Sequence, residues 1–107
     1  MSDSDFFNTL NSIFQPIEPN EAQARAIERF VRQIEDYNPE WDILSVETTT
    51  FCGNDITVCI ETHFYQNRND RRCYMFQMGA RGGAFVVSKR GNNRYIKPWM
   101  CEEARVY

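Results

Sequence analysis

The hydrophobic pattern of this chain changes its period near Asp42, and this change constrains the fold more than any other feature. Before that point, apolar residues recur every three or four positions, as they do on one face of an α-helix. After it, β-branched and aromatic residues alternate with other residues between clusters of Gly, Asn and Asp, which is typical of antiparallel strands joined by short turns. The sequence therefore predicts an α+β domain in which helices precede a β meander.

Two helices are predicted in the N-terminal part of the chain. Apolar residues at helical spacing predict a short helix over about residues 4–15. Asn20 is a favourable N-cap for a longer helix over residues 21–37, which ends at Asn38-Pro39 because the residue before proline avoids helical backbone angles. The apolar stripe of this longer helix comprises Ile27, Phe30, Val31, Ile34 and Tyr37.

Four or five antiparallel strands follow, and the helices are predicted to pack on one face of their sheet. At 107 residues the chain has the length of one domain, so residues 1–107 are predicted to form a single unit. The predicted strands cover about residues 43–52, 56–66, 71–80, 84–90 and 94–99, with turns at 53–55, 68–70, 82–83 and 92–93.

The alternation within the second strand predicts which side chains face the helices. Even-numbered residues from Ile56 to Phe64 are predicted to point inward, and odd-numbered residues from Thr57 to Tyr65 outward. The same register sets Glu47 opposite Glu61, Ser45 opposite His63 and Tyr65 opposite Cys73. The other residues predicted to point inward are Leu44, Val46, Thr48, Thr50, Tyr74, Phe76, Met78, Phe85, Val87 and Ile96.

The residues with catalytic or ligand-binding potential do not form a recognised motif. Cys52, Cys59, Cys73 and Cys101 lack the Cys-x-x-Cys spacing of structural zinc sites, so we expect free thiols and no bound metal. The glycines of residues 79–83 match neither a P-loop nor a dinucleotide-binding loop and favour a hairpin turn. A carboxylate and imidazole group around His63 would depend on the turn length, so neither an enzyme nor a cofactor is predicted.

The charge of the chain is distributed unevenly. The first 65 residues hold 12 acidic and three basic residues, and the remainder holds nine basic and three acidic residues. The two halves could neutralise each other in the fold, or the basic half could form a binding surface. No apolar run approaches the roughly 20 residues of a membrane helix, and the acidic N-terminus lacks the pattern of a secretory signal, so a cytoplasmic location without membrane association is expected.

The strongest functional feature is a group of cationic and aromatic residues near the C-terminus. Tyr, Trp and Arg are enriched in protein interfaces, so we predict a non-enzymatic protein interaction module, a regulator or inhibitor that docks onto a larger protein. The alternative is nucleic-acid binding through the same residues, although the net charge of -3 opposes it. A third possibility is that the acidic half is the functional face. The predicted partner-binding residues are Arg81, Arg90, Arg94, Tyr95, Lys97 and Trp99.

Overall fold

A computed structural model describes residues 20–52, 57–79 and 82–106. It confirms an α+β fold with an antiparallel sheet; the helix predicted over residues 4–15 lies outside the described residues. The five strands form one sheet in chain order, and each strand is antiparallel to its neighbours. The described elements are α1 (Glu21–Tyr37), β1 (Trp41–Cys52), β2 (Thr57–Asn67), β3 (Cys73–Met78), β4 (Ala84–Val87), β5 (Asn93–Tyr95) and a 3-10 helix, η1 (Cys101–Ala104).

Helix α1 has the bounds that its capping residues predict. The Asn20 side chain accepts a hydrogen bond of 2.8 Å from the backbone N–H of Gln23, which satisfies a free donor of the first turn. At the other end, the Asn38 backbone N–H donates to the carbonyl oxygens of Ile34 and Glu35. The Asn38 side chain also donates to the Ile34 carbonyl oxygen at 2.7 Å. Both ends of the helix are therefore closed by asparagine.

Helix α1 lies over β2 and β3. Near its N-terminal end, the Gln23 side-chain amide donates to the Cys59 carbonyl oxygen at 2.9 Å. In the middle of the helix, the Phe30 ring meets the Phe76 ring edge to face, with centroids 5.1 Å apart. The predicted burial of Phe30 and Ile34 is confirmed, and Ile34 is fully buried. The core is thus formed between the apolar stripe of α1 and an aromatic face of the sheet.

The predicted faces of β2 are reversed in the structure. His63 and Tyr65 face α1, opposite the core residues Phe76 and Tyr74 of β3, so Ile60 belongs to the other face. The alternation favours the even-numbered set, because the odd-numbered set includes the polar residues Glu61 and His63, but alternation within one strand does not include the residues of neighbouring strands that pack against it. Aromatic side chains bury about 150 to 250 Å² each, and Tyr65 joins Trp41, Tyr74 and Phe76 in one aromatic cluster. The aromatic side chains of three strands therefore bury a large apolar area on the odd-numbered side of β2, which explains why that side is covered.

The register differs from the predicted one by a single residue. Cys52 pairs with Thr57, which leaves an even-length connection instead of the odd one predicted, and the register shifts between Ile43 and Ser45. Glu47 consequently pairs with Thr62 and not with Glu61. Likewise Ser45 pairs with Phe64, and Tyr65 pairs with Tyr74. The predicted patch of Ser45, Glu47, Glu61 and His63 is therefore not formed, because its two halves lie on opposite faces of the sheet.

Strand β4 is also reversed relative to the prediction. Met78 pairs with Ala84, so Ala84 and Val86 share the side of α1, while Phe85 and Val87 lie on the opposite side. Phe85 is nevertheless buried, because the ring of Tyr95 lies against it with centroids 5.9 Å apart. The predicted inward position of Ile96 is confirmed by its burial in the core cluster.

Strand β1 reaches past the part of the sheet that α1 covers. Val46, Thr48 and Thr50 pair with residues of β2 that face α1, yet all three are exposed. Within β1 only Trp41 is buried. The prediction that these β1 residues contribute to the core is therefore wrong for the described residues, because α1, which is about 10 to 12 Å across, does not reach the outer strand.

Candidate partner-binding site

The structure separates the predicted partner-binding residues over several surfaces. Tyr95 lies on the face of the sheet opposite α1, and Trp99 lies beside the C-terminal end of α1. Arg90 is exposed in the turn between β4 and β5, and Lys97 is also exposed. Arg94 forms a 2.9 Å ion pair with Glu103. Arg81 lies outside the described residues.

Trp99 forms one wall of a surface pocket. This pocket has a volume of about 230 Å³ and lies between the last turn of α1 and the segment that follows β5. Trp99 is 64% exposed and Tyr37 is 58% exposed, so both aromatic rings are available to a ligand. The pocket is lined by Gln33, Asp36, Tyr37, Pro98 and Trp99.

Buried contacts fix the two walls of this pocket relative to each other. The side-chain amide of Asn38, the residue after Tyr37, lies 2.8 Å from the Cys101 sulfur. The Cys101 thiol in turn donates to the Pro98 carbonyl oxygen at 3.2 Å. Ile96 and Pro98 are buried below the turn that carries Trp99. The backbone segments that carry Tyr37 and Trp99 are therefore held next to each other, which lowers the entropic cost of bringing both side chains to one ligand.

Among the described residues, Asp36 is the only charged one that lines this pocket. It is exposed and forms no ion pair with any cation in the described part of the chain. The sequence prediction does not include Asp36 or Tyr37 among the site residues, because Tyr37 continues the apolar stripe of the helix. The signal that could have identified them is their position directly before Asn38-Pro39, where the helix ends and leaves its last side chains uncovered.

A second pocket of about 350 Å³ lies between the β4–β5 hairpin and the C-terminal segment. The Val106 backbone N–H donates to the Cys73 carbonyl oxygen at 2.9 Å, which attaches this segment to β3. The Arg94 and Glu103 side chains line this pocket and neutralise each other. Exposed Val87 and Val106 add apolar surface. Among the described residues, the side chains that line this pocket are apolar or charged, apart from Ser88, and none of them is aromatic.

The only histidine of the chain is buried between α1 and the sheet. The His63 ring stacks on Phe76, with centroids 5.2 Å apart, and its Nε2 lies 2.7 Å from a Glu61 carboxylate oxygen. Neither ring nitrogen makes a well-aligned hydrogen bond among the described residues. Burial lowers the pKa of His63 more than the Glu61 carboxylate raises it. His63 is only 5% exposed, so this pair offers a substrate no direct access.

The remaining ionisable groups with shifted pKa values belong to structural contacts. Burial, assisted by the Glu35 carboxylate, raises the pKa of the Tyr65 hydroxyl, which donates to Glu35 at 3.1 Å. Burial raises the pKa of the Cys59 thiol. The four cysteines are free thiols. Within the residues that the structure describes, no three His, Cys, Asp or Glu side chains are grouped to hold a metal ion.

Comparison with protein-family models, with curated proteins and with solved structures found no match to this chain. Its function therefore has to be argued from the site. Within the described part of the chain, no helix combines the length and apolar character needed to cross a membrane.

Proposed function

We propose that the chain is a small, non-enzymatic protein interaction module that acts as a regulator or inhibitor by docking onto a larger protein. The supporting observation is the pocket between Tyr37 and Trp99, whose two walls are aromatic side chains more than half exposed. Tyr and Trp are enriched among the residues that dominate binding energy, especially where they border a preformed cavity. Isolated exposed apolar residues are common, but two aromatic side chains held around one cavity form an anchor point.

Charge pairing within the fold favours a protein partner over a nucleic acid. Arg68 pairs with Asp42 at 2.8 Å and Arg94 pairs with Glu103 at 2.9 Å, so part of the basic charge is neutralised internally. Binding to nucleic acid depends on cations that remain free to replace counterions at phosphates. Within the described residues, Arg29, Arg71, Lys89, Arg90 and Lys97 form no ion pair. Arg29 lies on α1 and Arg71 between β2 and β3, away in sequence from the other three, and the net charge of -3 opposes binding to a polyanion.

The test is affinity capture from an extract of the source cells, with and without nuclease treatment. We expect a specific protein partner that survives nuclease and whose affinity falls by roughly 2 kcal/mol or more in Trp99→Ala, because truncation removes an aromatic anchor. Arg25→Glu is the matched control: Arg25 is exposed and pairs with Glu21 at the opposite end of α1. Capture that Trp99→Ala leaves unchanged would contradict the proposal. A partner that is lost on nuclease treatment, together with salt-dependent binding that Arg90→Glu removes, would establish the nucleic-acid alternative instead.

A further inference from the structure

We infer that the pocket between Tyr37 and Trp99 binds an arginine side chain of the partner protein. This inference rests on the proposed function, because it names the chemical group that the same site recognises. The pocket combines two aromatic side chains with one carboxylate, and no described cation neutralises Asp36.

Aromatic rings and a carboxylate attract a cation for different reasons. The face of an aromatic ring carries partial negative charge and attracts a cation within about 6 Å of its centroid. The Asp36 carboxylate carries a full negative charge, which complements a cationic ligand, and it accepts hydrogen bonds. An anionic or purely aliphatic ligand would leave Asp36 repelled or unpaired in the contact. The occupant that interacts favourably with both aromatic rings and with the Asp36 carboxylate is therefore a cationic side chain.

The geometry of the pocket favours arginine over lysine. A guanidinium group is planar, so it can stack on an aromatic ring and donate two hydrogen bonds to a carboxylate at the same time. A lysine ammonium is a compact, strongly hydrated charge and gains less from a ring face. The volume of about 230 Å³ is smaller than the roughly 300 to 1,000 Å³ typical of sites for whole small molecules, so it suits one side chain.

Nuclear magnetic resonance with blocked Gly-Arg-Gly peptide as the probe tests this inference. The chain has two tryptophans, and Trp99→Phe identifies which indole N–H signal belongs to Trp99 and which to buried Trp41. We expect a saturable shift of the Trp99 signal with a Kd on the order of 1 mM, as befits a single side chain. The same peptide with citrulline, which is neutral, should bind at least about tenfold more weakly, and the lysine peptide should also bind more weakly than the arginine peptide.

Asp36→Asn should weaken binding of the arginine peptide by roughly tenfold, because it removes the carboxylate and keeps the shape of the side chain. Glu47→Gln is the control, since Glu47 is an exposed acid that forms no ion pair with the described residues and lies outside the pocket. The inference is overturned by equal binding of the citrulline or lysine peptide, by unchanged binding in Asp36→Asn, or by an equal loss in Glu47→Gln.

The two proposals can fail separately. If Trp99→Ala abolishes partner capture but arginine peptides do not shift the Trp99 signal, the interaction function stands and the arginine assignment is wrong. If arginine peptides bind in this pocket but partner capture does not depend on Trp99, the assignment stands and the proposed docking site is wrong.

Discussion

At the scale of single residues, His63 places an ionisable ring in the interface between α1 and the sheet. Its ring lies nearly parallel to that of Phe76, with 6° between the planes, and contributes to the core as an aromatic side chain. Removal from water penalises the charged imidazolium form, and the neighbouring Glu61 carboxylate offsets only part of that penalty. The folded protein therefore favours the neutral imidazole.

This preference predicts a loss of stability in acid. Because the pKa of His63 in the folded state lies below its unfolded value of about 6.5, the unfolded chain takes up a proton first as the pH falls. The contribution of neutral His63 is fully present above about pH 6.5 and decreases below it. Urea unfolding at pH 5 and pH 7.5 should show this decrease in the native protein. His63→Phe keeps an aromatic ring but cannot take up a proton, so this variant should not show the decrease, since the chain has no other histidine. An equal decrease in both proteins would assign the effect to carboxylates.

At the scale of elements, the described fold depends on the packing of α1 against the sheet, with contacts to β2 and β3. Phe30 lies at the centre of this contact, because its ring meets Phe76 and its neighbours Ile27 and Ile34 on the helix are also buried. The polar face of the same helix carries exposed ion pairs such as that between Glu28 and Arg32, 2.9 Å apart. Pairs of this kind contribute only about 0.3 to 0.5 kcal/mol each. The stability of α1 therefore comes from its apolar stripe.

Phe30→Ala should reduce the free energy of unfolding by about 3 to 5 kcal/mol, because it removes a large buried side chain and leaves a cavity. Denaturant unfolding at neutral pH measures this change. Arg29→Ala is the control: Arg29 is the adjacent exposed residue, and its replacement should change stability by no more than about 0.5 kcal/mol. A midpoint that Phe30→Ala does not change would contradict the assigned face of α1.

At the scale of the whole molecule, the sheet ends in a long edge strand, β1, whose outer side no described residue covers. Strand β1 has 12 residues, and no strand in the described part of the chain pairs with its outer side. Ile43, Leu44, Val46 and Phe51 are exposed on it. Such an edge can pair with another chain. Asp42 is neutralised by Arg68, so Glu47 is the charge within β1 that opposes such pairing.

Hydrogen exchange checks whether this edge is free in solution. Alternate backbone amides of β1 point away from β2, so they should exchange rapidly, whereas the intervening amides should be protected. The amides of residues 61–66 in β2, which pair with β1 on one side and with β3 on the other, should be protected on both sides. Slow exchange at every position of β1 would show that another segment or a second copy covers the edge, contrary to this expectation.

The local pattern of the sequence determined the elements but could not determine the faces. The N-cap Asn20 and the Asn38-Pro39 step predicted the bounds of α1, because both effects depend only on neighbouring backbone groups. Period-two alternation likewise predicted an antiparallel meander. It could not decide which side of β2 is buried, because a shift of one residue moves every side chain to the other face. The buried side is determined by the packing of an aromatic cluster whose members come from three strands and contact each other only in the folded sheet: Trp41, Tyr65, Tyr74 and Phe76.

In the candidate site, too, the sequence predicts one part and the tertiary structure determines the rest. The sequence identified Trp99 as an exposed aromatic residue, because its type and position beside cationic residues suffice for that prediction. Only the tertiary structure brought it to Asp36 and Tyr37, which lie about 60 residues earlier in the chain. The hydrogen bond between Asn38 and Cys101 holds these two segments together, and no local sequence pattern predicts it. Propensity and alternation are set by neighbours in sequence, whereas a pocket is set by how distant segments pack, so the residue was predictable and the pocket was not.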